Sequence, residues 1–212
     1  MFNKNWGLIF SIAILFNIVL LLSSFNSNLY DEKTYFGLYE ENNVIFNESI
    51  RIDKTSELIG FFSNENSLDT SFFTNNEISH MEDVKKIFEI LNYIYYITLM
   101  LLVVLFIYLI RKDLFIIILP SAILGLILAS LAFSTFSSIP FTISFEGMHN
   151  TLFPQGNYSF PTDSNLIQLF PIGFFYGFIE IVMKEFFITH LMIILIGLGY
   201  FYYVKKIKKN KK

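Results

Sequence analysis

The sequence predicts an all-α transmembrane protein, a four-helix membrane bundle with a small extracellular cap that contains β-structure. Three observations predict it. Hydrophobic residues make up 54% of the 212, with 26 Phe and 12 Tyr, and the mean hydropathy is +0.54, beyond what the surface of an ordinary soluble domain carries. Four apolar runs each approach the roughly 20 residues that cross a hydrocarbon core of about 30 Å. Two longer segments between those runs mix polar and apolar residues. The whole chain, residues 1–212, reads as a single membrane domain.

The first crossing covers residues 6–23. Lys4 followed by an apolar stretch resembles a signal peptide, but Ser23-Ser24-Phe25-Asn26 closes it with no small-x-small cleavage pattern, so an uncleaved anchor is expected. The other crossings cover residues 93–110, 114–136 and 186–204. Each should be helical, because a spanning segment has to satisfy its own backbone hydrogen bonds.

Orientation follows from the cations near the membrane ends. Net charge is −3, but this mean hides a segregation: residues 205–212 are nearly all lysine, whereas residues 24–92 are rich in Asp and Glu. With four crossings, Lys4, the turn Arg111-Lys112 and the Lys-rich tail 205–212 share one side, the cytoplasm. Residues 24–92 and 137–185 then form the extracellular cap, where Lys85 and Lys86 sit among Glu82, Asp83 and Glu89.

Within the cap, residues 30–62 alternate polar and apolar side chains, as in Asn43-Val44-Ile45-Phe46 and Ile50-Arg51-Ile52, which predicts a small antiparallel sheet or a set of hairpins. Thr74-Asn75-Asn76-Glu77 fits a capping box. Beyond it Ile78, Met81, Val84, Phe88 and Leu91 keep helical spacing, so one long helix should start outside and run into the second crossing. Phe145 to Asn150 reads as a loop or short helix. Residues 152–161 are too apolar for a solvated loop and too broken for a helix, which suits the headgroup layer, and residues 166–184 read as an interfacial or re-entrant helix.

The chain has no cysteine, so it has no thiol nucleophile, no disulfide and no acyl-thioester of its own. It has three histidines. His80 and His149 stand at the mouths of two crossings on the same side, and imidazoles titrate close enough to neutrality for a converging pair to pass a proton in both directions. The plainer reading makes each a surface histidine. Glu77 and Asp83 share a helical face with His80 and could orient its ring. His190 lies about a turn inside the fourth crossing, where it could be functional or could simply reach the interface. There is no Gly-rich phosphate loop, no nucleophile elbow and no metal-ligand spacing, so no cofactor and no metal are implied. No folded basic patch supports nucleic-acid binding, and the lysine tail could attract anionic lipid headgroups besides fixing orientation.

Phe73-Thr74-Asn75-Asn76-Glu77-Ile78-Ser79-His80-Met81-Glu82-Asp83-Val84-Lys85 resembles the first signature of the lipoprotein intramolecular transacylases, bacterial four-helix integral membrane proteins. His149-Asn150-Thr151-Leu152-Phe153, then Asn157-Tyr158-Ser159-Phe160, then Leu166 to Phe175, resembles their second, looser signature. Departures are Met148 and Asn150 flanking the second histidine, Tyr158 where Trp is common, and Ser164-Asn165 before the Leu-Ile pair. The resemblance implies a multi-pass protein of the bacterial cell membrane whose partners are diacylated lipoproteins and membrane lipids. It implies that His149 and His80 are catalytic, with Glu77, Asp83, Asn157 and Tyr158 supporting or orienting them. The implied reaction moves the sn-2 acyl chain of a diacylglyceryl-cysteine lipoprotein to its own N-terminal amine, giving the lyso-form.

That reaction suits the residues. Amine and ester already share one molecule, so the enzyme has to supply geometry more than a nucleophile. An α-amino group has a reference pKa of about 7.7–8.0 and has to lose a proton before attacking. One histidine would take it while the other polarises the ester carbonyl; His149 as base and His80 as acid or electrophile is the expected assignment, and the reverse stays open. Two other readings stand beside it: a noncatalytic membrane subunit whose cap binds a partner, and a lipid hydrolase with a histidine-activated water.

Overall fold

The structure, a computed structural model, describes residues 5–210. Its helices are α1 (Trp6–Leu29), α2 (Glu32–Glu41), α3 (Glu48–Phe62), α4 (Asn75–Arg111), α5 (Ile118–Ser137), α6 (Phe141–Leu152), α7 (Asn165–Leu169) and α8 (Ile172–Asn210), with a 3₁₀ turn at Phe115–Ile117 leading into α5. Four of them, α1, α4, α5 with its leading turn, and α8, are long and apolar enough to cross a membrane. Of the cations read for orientation, Lys4, Lys211 and Lys212 lie outside the described residues.

The expected β-containing cap is corrected: no strand occurs among the described residues, and residues 30–62 form α2 and α3. Local capping decides this. The Asp31 side chain accepts from the Lys33 amide and starts α2, and the Asn47 side chain accepts from the Ile50 amide and starts α3. Burial then has helical period, at Thr34, Tyr35, Leu38 and Tyr39 in α2 and at Lys54, Thr55, Leu58, Phe61 and Phe62 in α3. The apparent alternation Asn43-Val44-Ile45-Phe46 is the connection between these helices, turned at Asn43 with φ 50°.

The chain divides into two compact units. One comprises Met1–Ser24, Tyr93–Phe136 and Met183–Lys212 and holds the apolar stretches of the four long helices. Its core includes Ile9, Ile12, Phe16, Leu102, Leu109, Ile117 and Ala122. Small residues let backbones approach there: a Cβ on Gly125 would stand 3.2 Å from the Ala13 carbonyl oxygen. Polar side chains bridge its helices, with Asn17 Nδ2 donating to the Gly125 carbonyl (3.1 Å) and the Ser24 hydroxyl to Glu185 (2.9 Å).

The other unit comprises Phe25–Asn92 and Ser137–Val182. Tyr35, Leu38 and Tyr39 of α2, Leu58 and Phe61 of α3, Met81 of α4, Leu169 of α7 and Phe174 of α8 share its core. The start of α8 lies close against α2: a Cβ on Gly177 would meet Leu38 Cδ2 at 2.6 Å, so a larger residue there would push the helices apart. Buried Lys54 is held by Glu57 and Asp69, each at 2.8 Å, which satisfies its charge within the cap.

Candidate active site

His80 owes its place to the first turn of α4. The Thr74 amide and hydroxyl donate to Glu77 Oε2 at 2.7 and 2.8 Å, and the Glu77 amide donates back to the Thr74 hydroxyl at 3.3 Å, completing a capping box. Glu77 Oε1 accepts from the Leu166 amide at 2.8 Å, and Asn165 Nδ2 donates to the Phe72 carbonyl at 2.6 Å, so the segment opening α7 is tied to the segment opening α4. Glu77 is 1% exposed, and His80, one turn later, is 6% exposed.

His149 lies near the end of α6, half-buried. Its Nδ1 donates to the Phe145 carbonyl one turn earlier, at 2.8 Å. A carbonyl only accepts, so Nδ1 carries the proton and the neutral ring has its lone pair on Nε2. The rings of His80 and His149 stack with centroids 6.0 Å apart and planes 27° from parallel. The two imidazoles, 69 residues apart in number, are thus neighbours.

An aromatic wall surrounds them. Phe153 packs edge-on to His80 at 4.6 Å and also lies 5.5 Å from His149. Phe160 stands 5.6 Å from His80, Tyr158 stands 5.2 Å from His149, and Phe145 stands 4.2 Å from His149. The loop between α6 and α7 supplies Phe153, Tyr158 and Phe160, so the broken apolar segment noted in the sequence closes one side of the histidine pair. Phe145, Phe153 and Phe160 escaped the sequence reading as site residues; the spacing of Phe145 and Phe153 four residues either side of His149 was the available signal.

Of the four supporting residues, all in this unit, Tyr158 packs its ring against His149, while Glu77, Asp83 and Asn157 act through hydrogen bonds to other groups. Asp83 Oδ2 accepts from Asn157 Nδ2 at 2.8 Å and from Gln155 Nε2 at 2.9 Å, while Asp83 Oδ1 accepts from Lys86 at 2.9 Å. Tyr158 donates its hydroxyl to Asn150 Oδ1. Glu77 is committed to Thr74 and Leu166. The expectation that Glu77 or Asp83 orients the His80 ring is therefore corrected as far as a hydrogen bond goes: their oxygens bond elsewhere, and among the described residues the buried His80 Nδ1 has no hydrogen-bond partner.

Electrostatics keep His80 uncharged. Burial, and then the nearby His149, lower its pKa from 6.5 to about 4, against a smaller opposing pull from Asp83. Asp83 is held below the usual carboxylate range by the Lys86 ammonium and the Asn157 amide, so it stays an acceptor for the loop. A neutral imidazole beside one with a lone pair on Nε2 can hydrogen-bond an oxygen with one ring and take a proton with the other.

His190 belongs to the membrane-spanning unit. It is fully buried, its Nε2 donates to the Ala122 carbonyl at 3.0 Å, and its Nδ1 has no hydrogen-bond partner among the described residues. Among the described residues, no group of three or more His, Cys, Asp or Glu side chains is placed to hold a metal ion.

The family described as "Lipoprotein intramolecular transacylase Lit" has a model that matches residues 6–175. Among solved structures, the membrane integral lipoprotein intramolecular transacylase Lit from Bacillus cereus is similar in fold, with a TM-score of 0.82 at 20% identity over 99% of this chain and 100% of that one. A variant of the Bacillus cereus protein with one histidine replaced by alanine gives a TM-score of 0.80 at 19% identity, covering 98% of this chain and 96% of that chain. No curated protein matches the chain in sequence.

Proposed function

This chain belongs to the lipoprotein intramolecular transacylase family and is an acyltransferase acting on lipoproteins, and within that activity we propose that it moves an acyl chain from oxygen to nitrogen inside one substrate molecule. The substrate is a lipoprotein whose N-terminal cysteine carries a diacylglyceryl thioether. The cysteine's α-amine attacks the sn-2 ester carbonyl; a C–N bond forms, the ester C–O bond breaks, and the glyceryl oxygen leaves as a hydroxyl. The product is the N-acyl, S-monoacylglyceryl lyso-form.

His149 Nε2 takes the amine proton, because Nδ1 is committed to the Phe145 carbonyl. The neutral His80 donates a hydrogen bond to the carbonyl oxygen as negative charge develops there, in the way a neutral imidazole acts as an electrophile elsewhere. The proton held by His149 then passes to the leaving glyceryl oxygen. Asp83, Asn157 and Tyr158 act through the loop that walls the pair. One observation carries this reading: the stacked imidazoles at 6.0 Å, one of which has its tautomer set by a backbone carbonyl.

The orientation proposed is both termini in the cytoplasm and the histidine pair on the outer side of a bacterial cell membrane. It is supported by the charge asymmetry of the ends of the four long apolar helices, with Arg111 and Lys112 in one connection and Lys205 and Lys206 beginning the tail. Membrane lipids are the other partner proposed, and nucleic acid is not one.

The test is intact-lipopeptide mass spectrometry after expression in a transacylase-free bacterium. His149→Gln and His80→Asn should each reduce the lyso-form by about a hundred- to a thousandfold, as removal of a proton-transfer group or of an oxyanion contact does, while the protein still inserts. Persistence of the lyso-form in the double variant would refute the roles given to the histidines. Released fatty acid in place of N-acylated lipopeptide would indicate hydrolysis.

A further inference from the structure

We propose that the membrane-spanning unit holds a binding site for one anionic phospholipid of the bilayer, at the end that leads into the lysine tail. A cavity of about 290 Å³ opens there, lined by Phe16 of α1, Phe106 of α4, Leu119 of α5, and Ile193, Gly197 and Tyr200 of α8 among others. Every lining residue is apolar or aromatic, so the cleft offers a water too few hydrogen-bond partners. Hydrocarbon fits it. The cleft exists because residue 197 has no side chain: a Cβ there would stand 3.2 Å from Leu119 Cδ1 and 3.4 Å from Leu119 Cβ.

Charge complementarity at its mouth names the lipid. The rings of Phe115 and Tyr200 meet edge to face at 5.2 Å, which brings the start of the α5 segment beside the end of α8. Arg111 and Lys112 precede the first by about a turn, Lys205 and Lys206 follow the second by a turn or slightly more, and all four are exposed. Asp113 is the one carboxylate in that connection. Exposed cations about a turn from two residues that line an apolar slot match a molecule that is anionic at one end and a long hydrocarbon at the other. Inorganic phosphate would leave the slot unfilled, and a zwitterionic lipid would bring its own cation among these.

The whole protein in detergent, titrated with dioleoylphosphatidylglycerol or dioleoylphosphatidylcholine and read by native mass spectrometry, tests this. One phosphatidylglycerol should be retained per chain, with at least fivefold preference over phosphatidylcholine of the same chains. Leu119→Trp should abolish retention of both lipids by filling the slot, and Gly197→Leu serves if that variant fails to insert. Lys205→Gln with Lys206→Gln should reduce the preference to below twofold while leaving transacylase activity unchanged. The proposal is overturned if both lipids are retained equally by the unaltered chain, or if filling the slot changes nothing. It is equally overturned if a dimer replaces the lipid adduct, if inorganic phosphate displaces the lipid, or if a diacyl lipopeptide does so.

Discussion

Asp83 of α4 accepts a hydrogen bond from Asn157, 74 residues further along, at 2.8 Å. With the 2.9 Å bond from Gln155, it pins the loop that carries Phe153, Tyr158 and Phe160 to the helix that carries His80. Hydrogen bonds to a charged acceptor contribute about 1.5–3 kcal/mol each, so Asp83→Ala should loosen that wall and lower kcat/KM for lyso-form production by roughly ten- to a hundredfold. Asp83→Asn, which keeps one accepting oxygen, should lose less. Because Asp83 acts through the loop and pulls only weakly on His80, the pH profile should keep its shape in both variants, moving at most slightly to lower pH. Rates and profiles measured by lipopeptide mass spectrometry check this, and loss of a whole titration step along with the rate would show that Asp83 itself exchanges a proton.

The four apolar helices were legible in the sequence because lipid imposes an unbroken run of side chains and leaves the backbone no alternative to a helix. The capping box at Thr74 and Glu77 was legible too, since its meaning is local. The cap was misread for the opposite reason. β-branched Ile50, Ile52 and Thr55 lean toward strand, but Asn47 caps a helix at that point and the buried core takes up Thr55, Leu58 and Phe62 at helical spacing. At the candidate site, the two histidines could be picked out by type and position. The Phe145 carbonyl that sets one tautomer and the phenylalanine wall depend on how α6 and the following loop pack, which the spacing of Phe145 and Phe153 around His149 expresses only in part.

His80 should make stability depend on pH in a definite direction. Its folded pKa of about 4 lies below its ordinary 6.5. Between those values the unfolded chain binds more protons than the folded one, so stability from this group is complete above about pH 6.5 and falls as pH drops toward 4. Thermal unfolding of the detergent-solubilised protein from pH 7 to 4.5 should therefore show a smaller decline for His80→Asn than for the unaltered chain. Parallel declines would mean that His80 takes up its proton as readily in the folded protein as in the unfolded one.

Glu77 is better placed to hold the site together than to touch substrate. Its carboxylate takes donors from the Thr74 amide, the Thr74 hydroxyl and the Leu166 amide, and it is 1% exposed. Removing it leaves buried donors unmet, so Glu77→Ala should destabilise the protein by about 3 kcal/mol, against about 1 kcal/mol for Thr74→Ala. Glu77→Gln should fall between, because its amide nitrogen has to face one of the donors. Unfolding midpoints give the order, and hydrogen exchange should quicken at the Leu166 amide in the Glu77 variants alone.

His190 and Gly125 separate structure from chemistry in the membrane-spanning unit. His190 Nε2 donates to the Ala122 carbonyl, and a Cβ on Gly125 would stand 3.2 Å from that same nitrogen, 3.2 Å from the Ala13 carbonyl oxygen and 3.4 Å from Asn17 Oδ1. The Ala13 oxygen is backbone and cannot turn aside, so Gly125→Ala should spread α1 and α5 and destabilise by about 1–3 kcal/mol. His190→Ala removes one hydrogen bond and some packing volume but no group assigned to proton transfer, so at least about a third of the lyso-form rate should survive, a change of under 1 kcal/mol in barrier. Both variants are checked by unfolding midpoint and lipopeptide mass spectrometry on the same preparation. A His190→Ala protein that inserts with an unaltered midpoint and yet makes no lyso-form would move this histidine from the helix packing into the reaction.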